Sequence, residues 1–355
     1  MPGWRDYLIM SQKDTATNQT TSHSTASPTS NFNKGLIIIL ISSLMLSFQN
    51  VVTRIILSEK VVFGTFKMGG IISPSFGNSL LILVLRMAIV LPIMALIVAP
   101  RFYKNTWQDI KDLTKFENRN RFYSALGSGT FLFLSQFLMY VSLGNIPTGV
   151  STTIFFIYPT ITILLVWVFF KDKPQISLFF AMITIYIGGY MTIPPAAFAA
   201  RGESNLLLGA TTAALSGVAF AGYIVLIKIA KMHPAPFTVV SFSTILTLGV
   251  LILPLVEFNV APAMWTQLLI GAVVLAFTTL VGYLLTNVGV PMVGPAIASV
   301  IASSGPAVTA LMALIIIHET LEPNQIIGVF LVTLWVVGIS VENMKKHQQV
   351  SKPSA

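Results

Sequence analysis

Arg86 stands nine residues into an apolar run, 78–99. Its guanidinium carries five N–H donors and stays charged at any biological pH. At helical rise it lies roughly 12 Å from the nearer end of that run. Holding such a charge in lipid costs about 2.5–3.5 kcal/mol even on the lenient insertion scale, so it must face protein or water and meet a partner. No Asp or Glu occurs inside any of the long apolar runs. Arg86 therefore has two readings: contact with a negative group of a substrate or a role in gating, or a bond to a structural partner such as backbone carbonyls. Other polar groups at depth, Gln49, Asn50, Gln136, Tyr140, Tyr158, Tyr223, Tyr283 and Asn287, offer hydrogen bonds beside apolar faces. Ser303 and Ser304 add hydroxyls, although serine also bonds back to its own helix. A tyrosine near a helix end reads equally well as an interface anchor. Arg54 and Lys228 lie near helix ends, where they snorkel to headgroups or steer anions by simple attraction.

These groups suit recognition better than bond-breaking. There is no GxSxG, HExxH or phosphate-cradling Gly-rich loop, and no carboxylate pair at depth. Cysteine is absent, and His23, His233, His318 and His347 are scattered without metal-ligand spacing. The expectation is a non-enzyme with no cofactor.

The elements that position these residues follow from composition. Charged residues make up 9% of the 355, against about 25% in soluble proteins. Ten runs of membrane-crossing length read as helices: 35–57, 78–99, 122–142, 148–170, 176–194, 206–230, 237–256, 267–288, 292–317 and 325–341. Gly289 to Pro295 must hold a tight turn. Residues 1–33 read as a disordered tail, 195–205 as a linker and 343–355 as a second tail. With the N-terminus inside, sixteen of the 21 Lys and Arg fall on inner segments, and only Lys60, Lys67 and Arg201 on outer loops. That asymmetry places both termini in the cytoplasm and explains the +9 charge without nucleic acid.

The chain also repeats itself. Pro159 lies within 148–170 and Pro306 lies 147 residues later, within 292–317; at the same offset Ser151 pairs with Ala298 and Asp172 with Glu319. At an offset of 174, Gly35 pairs with Gly209, Ser42 with Ser216, and Arg54 with Lys228. Each repeat (34–194 and 206–342) holds five helices, so the second inserts upside down relative to the first. The prolines free the carbonyls of Phe155 and Ala302. Either they make a flexible kink that offers backbone groups to a substrate, or a static one. Gly294, Ala298, Ala302, Pro306 and Ala310 form a small-residue stripe suited to close helix contact. Asp172, Glu319 and Glu322 read first as helix caps.

Ten helices in two five-helix repeats resemble the drug/metabolite transporter superfamily, in particular its EamA-like family. The family's fourth helix carries a mid-helix proline, then an acidic residue, then a small-residue-rich fifth helix. Pro159, Asp172 and Gly188-Gly189 match that pattern, as do Pro306, Glu319, Gly328 and Gly338. Arg86 fits an arginine common in its second helix. The resemblance covers about 34–342 and implies an all-α integral membrane transporter of the bacterial inner membrane. The long loop Ser58–Gly77 departs from it.

The implied function is secondary transport, by export or exchange, of a small zwitterionic or anionic metabolite such as an amino acid or organic acid. Alternating access is the expected mechanism. The partners are the substrate and the lipid bilayer; a monomer suffices, and a homodimer stays open. The alternative is efflux of cationic drugs. Small multidrug resistance proteins of this superfamily hold cations with a first-helix glutamate; Gln49 here brings no such charge, and Arg86 repels cations. A receptor or membrane enzyme is the weaker remaining alternative.

Overall fold

Backbone N–H and C=O groups find no water in lipid, so long apolar runs satisfy them internally as helices. The computed structural model describes residues 28–57, 59–113, 115–146, 148–171, 176–191, 206–302 and 304–317, with isolated positions between 323 and 334. The tenth expected span, 325–341, lies largely outside them, as do Asp172, Ser303, Glu319 and Glu322. Helix α1 (Pro28–Leu57) is followed by a hairpin of β1 (Lys60–Val62) and β2 (Phe66–Met68). Helix α2 (Phe76–Pro92) passes through π-helical Ile93–Val98 into α3 (Ala99–Phe102). A short α4 (Thr106–Asp112) precedes α5 (Arg119–Asn145), α6 (Thr148–Phe155), α7 (Tyr158–Phe170) and α8 (Ile176–Met191). Then come α9 (Leu206–Ala230), α10 (Pro234–Ile252), α11 (Trp265–Val293), α12 (Pro295–Ala302) and α13 (Gly305–Ile317).

Among the described residues, eight helical segments are long and apolar enough to cross a membrane, and Leu178–Gly188 is a shorter apolar one. Leu96, Phe169, Leu207, Phe277 and Ile315 stay exposed on outer faces. Such a surface suits lipid and not water. The protein is integral to a membrane.

Five expectations need correction. The run 148–170 is two helices, α6 and α7, with a turn at Phe156 and Ile157 between them. Likewise 292–317 divides into α12 and α13 between Ala302 and Gly305. Pro159 and Pro306 each stand second in the half-helix they open. There a missing N–H removes no helical bond, so proline starts a helix rather than kinking one. The tight turn expected over 289–295 narrows to Gly294, whose φ of 87° lets α11 run on to Val293. Finally, the loop 58–77 holds a strand pair, a small exception to an all-α chain.

The most extensive helix contacts are α1 against α11 and α5 against α9. Their hydrogen bonds correspond. Ser42 Oγ donates to the Gly282 carbonyl at 2.8 Å, and Ser216 Oγ donates to the Ser135 carbonyl at 2.7 Å. Gly35 backs onto Met292 and Val293, and Gly209 backs onto Ile146. In each case the second pair is the first shifted by the sequence offsets of 174 and 147.

One end of the bundle is tied by the hairpin, where the Phe63 N–H donates to the Ile316 carbonyl at 2.7 Å. At the other end His233 stacks on Tyr103 with ring centroids 4.0 Å apart. His233 also caps α10, its Nδ1 accepting from the Ala235 N–H at 3.3 Å. Burial holds its pKa below the usual 6.5, against a smaller opposing pull from Asp109.

Two predictions follow from this packing. A Cβ on Gly217 would meet the Phe155 carbonyl oxygen at 2.5 Å, whereas one on Gly127 meets Leu226 at an ordinary 3.5 Å. Gly217→Ala should destabilise by about 1–3 kcal/mol, while Gly127→Ala is neutral or stabilising by up to about 1 kcal/mol. Thermal unfolding in detergent checks both. The second concerns pH. The unfolded chain protonates His233 more readily than the folded one. Its contribution is therefore complete above pH 6.5 and is lost as pH falls from there toward the depressed folded value. His233→Asn keeps a capping acceptor without titrating, so it should flatten the fall in melting temperature between pH 7 and pH 5.

Candidate functional site

The two helix breaks face each other across a cavity of about 100 Å³ in the centre of the bundle. Its polar lining comes from α1 (Ser42, Ser43, Ser47, Gln49, Asn50), α5 (Ser135, Gln136, Tyr140) and α11 (Tyr283, Thr286). Phe155, Phe156 and Tyr158 at one break, and Ala302 and Gly305 at the other, complete the wall with Phe220 of α9.

Hydroxyls hold the breaks in place. Ser43 Oγ donates to the Ala302 carbonyl at 3.3 Å, and Ser47 Oγ donates to the Gly305 carbonyl at 3.1 Å. Tyr158 Oη reaches across to the Ser299 carbonyl at 3.2 Å, joining the two broken helices. At the break in the first half, the equivalent of Ser43 is Gly217 of the second half, which has no hydroxyl and lets the Phe155 carbonyl approach its backbone. Phe155, Tyr158 and Phe220 pack with centroids 4.9–5.4 Å apart as an aromatic wall.

Arg86 lies immediately behind the cavity wall and is 0% exposed. Its Nη1 donates to Tyr140 Oη at 2.5 Å, and its Cζ stands 5.3 Å from the Tyr140 ring centroid. Nε and Nη2 are buried and have no hydrogen-bond partner among the described residues. Neither has the Gln136 side-chain amide, at its oxygen or its nitrogen. Gln136 and Tyr140 are one helical turn apart on α5, so both face the cavity. Gln49 spends its carbonyl oxygen on Thr279 Oγ1, at 2.8 Å.

Of the residues singled out by sequence, Gln49, Asn50, Gln136, Tyr140, Tyr158 and Tyr283 line the cavity. Arg86 supports it from behind. Ser304 stands beside it, its Oγ 3.4 Å from Ser43 Oγ, while Ser303 lies outside the described residues. Tyr223 and Asn287 are instead bonded to each other at 2.6 Å, and Asn287 donates on to Thr238 at 2.8 Å. Arg54 is in the last turn of α1. Lys228, in the last turn of α9, stands 4.2 Å over the Phe170 ring. Pro159 and Pro306 open the half-helices that border the cavity. Sequence reasoning missed Phe155, Phe156 and Phe220, because phenylalanine in an apolar run has lipid as its default neighbour. It also missed Ser43 and Ser47. Their spacing of four in α1 was the available signal, since it puts both on one face.

Residues 207–341 match the EamA-like transporter family. The chain is also 38% identical over 313 residues to a protein of Synechocystis sp. (strain ATCC 27184 / PCC 6803 / Kazusa) described as "Uncharacterized transporter sll1319". That alignment spans 87% of this chain and 94% of the relative. The chain belongs to the EamA-like transporter family. A solved structure described only as "Crystal structure of protein" has the same fold, with a TM-score of 0.61 at 13% identity, covering 91% of this chain and 99% of its own. This EamA-like protein is thus a transporter of the drug/metabolite transporter superfamily.

Arg86 makes a stability prediction for the empty transporter. Its burial costs about 2.5–3.5 kcal/mol, and one charge-assisted bond returns about 1.5–3 kcal/mol. Arg86→Met should fold with a melting temperature equal to or above wild type. Loss of the folded protein would assign Arg86 a structural role instead.

Proposed function

We propose that this transporter moves a small zwitterionic or anionic metabolite, such as an amino acid or organic acid, by export or exchange. The observation that carries the reading is Arg86: a permanent cation, fully buried behind the cavity wall, with two nitrogens lacking a partner among the described residues. A negative group in the cavity would lower its cost, and a cation would raise it. The helix breaks add both signs of partial charge. Half-helices α7 and α13 begin at the cavity with positive ends, and α6 and α12 finish there with negative ends. A zwitterion uses both.

The mechanism is alternating access by two inverted five-helix repeats. Supporting this are the matched bonds Ser42–Gly282 and Ser216–Ser135 and the paired breaks. The positive-inside asymmetry favours cytoplasmic termini, and the cyanobacterial relative favours a bacterial inner membrane. One observation supports a second reading. The wall of Phe155, Tyr158 and Phe220 could bind a lipophilic cation through aromatic faces.

Counterflow in proteoliposomes separates the two. Vesicles preloaded with a mixture of amino acids and small organic acids should accumulate a labelled member of the same class against its own gradient. Uptake driven by lipophilic cations alone, with no acid or amino acid exchanged, would replace the metabolite reading with drug efflux.

A further inference from the structure

Arg86 does not itself line the cavity, but Tyr140, which it bonds, does. The direction of that bond is fixed by chemistry. A guanidinium has donors and no acceptor, so the Tyr140 oxygen must accept. The tyrosine's own proton then cannot point at Arg86. It is left to donate elsewhere, from a ring that forms part of the cavity wall. A bond from a cation draws electron density from the phenol oxygen and strengthens its O–H as a donor. One turn earlier on the same helix, Gln136 faces the same cavity, 5% exposed, with its amide nitrogen and oxygen both unpartnered among the described residues. The wall of α5 thus presents an O–H and an N–H₂ one turn apart, with the Arg86 charge directly behind the first and no Asp or Glu among the described lining residues.

We propose that Tyr140 and Gln136 are the residues that bind the carboxylate of the cargo, with Tyr140 donating its hydroxyl and Arg86 acting through Tyr140 as a positioning and polarising residue. This rests on the metabolite reading above and sharpens it. The transporter recognises a carboxylate as such, and it discriminates against the corresponding amide. An amide carries no net charge for Arg86 to attract, and its carbonyl oxygen accepts from Tyr140 more weakly than a carboxylate oxygen does. A ligand oxygen that accepts from Tyr140 also completes a chain from Arg86 to the cargo without the guanidinium entering the cavity. This explains how a residue 0% exposed can govern specificity.

The test uses full-length protein in detergent and a panel of L-amino acids and short-chain carboxylic acids, each paired with its primary amide. Dissociation constants come from ligand-induced thermal shifts. Wild type should prefer each bound acid over its amide by tenfold or more. Tyr140→Phe should bring that ratio close to one, mainly by weakening the acid. Gln136→Leu should weaken acids severalfold. Arg86→Gln keeps a polar side chain but removes the charge; it should reduce the ratio at least threefold while leaving amide affinity near wild type. A structural role alone would weaken acid and amide alike and leave the ratio intact. A folded Tyr140→Phe protein with an unchanged ratio overturns the inference while the metabolite reading stands. If Tyr140→Phe does not fold, the ratio in Arg86→Gln and Gln136→Leu decides, and no change in either overturns it. Shifts from lipophilic cations with none from any carboxylate overturn the metabolite reading and this inference together.

Discussion

A guanidinium held out of water with one hydrogen bond is the constraint around which the centre of this transporter is arranged. Arg86 can donate five hydrogen bonds, and the packed helices give it one, to Tyr140. In the apolar middle of a bundle that deficit is costly, and the surrounding sequence offers no Asp or Glu to relieve it. The deficit has an outlet through Tyr140, which connects the charge to the cavity. Stability is given up at a single residue, in a place where the proposed recognition of a negative group would recover it. That is the usual relation between strain and a functional site.

The cavity exists because two helices are interrupted there. A continuous helix would fill the space with side chains and satisfy its own carbonyls. Here Pro159 and Pro306 begin new half-helices, and the carbonyls left over are met by Ser43, by Ser47 or by close approach to Gly217. Both breaks are pinned to the long helix of the opposite half, and Tyr158 pins them to each other. Movement of one half against the other must therefore shift or break these contacts and reshape the cavity. This is the physical basis of the proposed alternating access. The difference between Ser43 and Gly217 makes the two halves unequal at equivalent points, so the cavity is not symmetric although its framework is nearly so.

Much of this was legible in the chain itself, for reasons that differ by residue. Apolar length located the spanning segments, and the two proline positions marked the equivalent helices, because both signals are local. The breaks were not legible, since a proline inside an apolar run reads the same whether it kinks a helix or opens one. Depth identified Arg86 and the polar residues, but depth cannot say whom a polar residue faces. Tyr223 and Asn287 looked like Tyr140 and Gln136, yet the first two satisfy each other and the second two face the cavity. Phe155 and Phe220 gave no signal, because their neighbours are decided by tertiary packing. The hairpin at 60–68 was hidden by its brevity.

The account depends on the central cavity being the place where cargo binds during transport. The chain contains no cysteine, so a single thiol at Asn50, which lines the cavity and is only half-buried, would report on that space alone. Asn50→Cys protein in proteoliposomes should react with a small membrane-impermeant thiol reagent. A transported carboxylate should slow that reaction in a saturable way, at concentrations matching those that support counterflow. Labelling that proceeds at the same rate whether or not saturating cargo is present, in protein that still transports, would contradict it and place the binding site elsewhere.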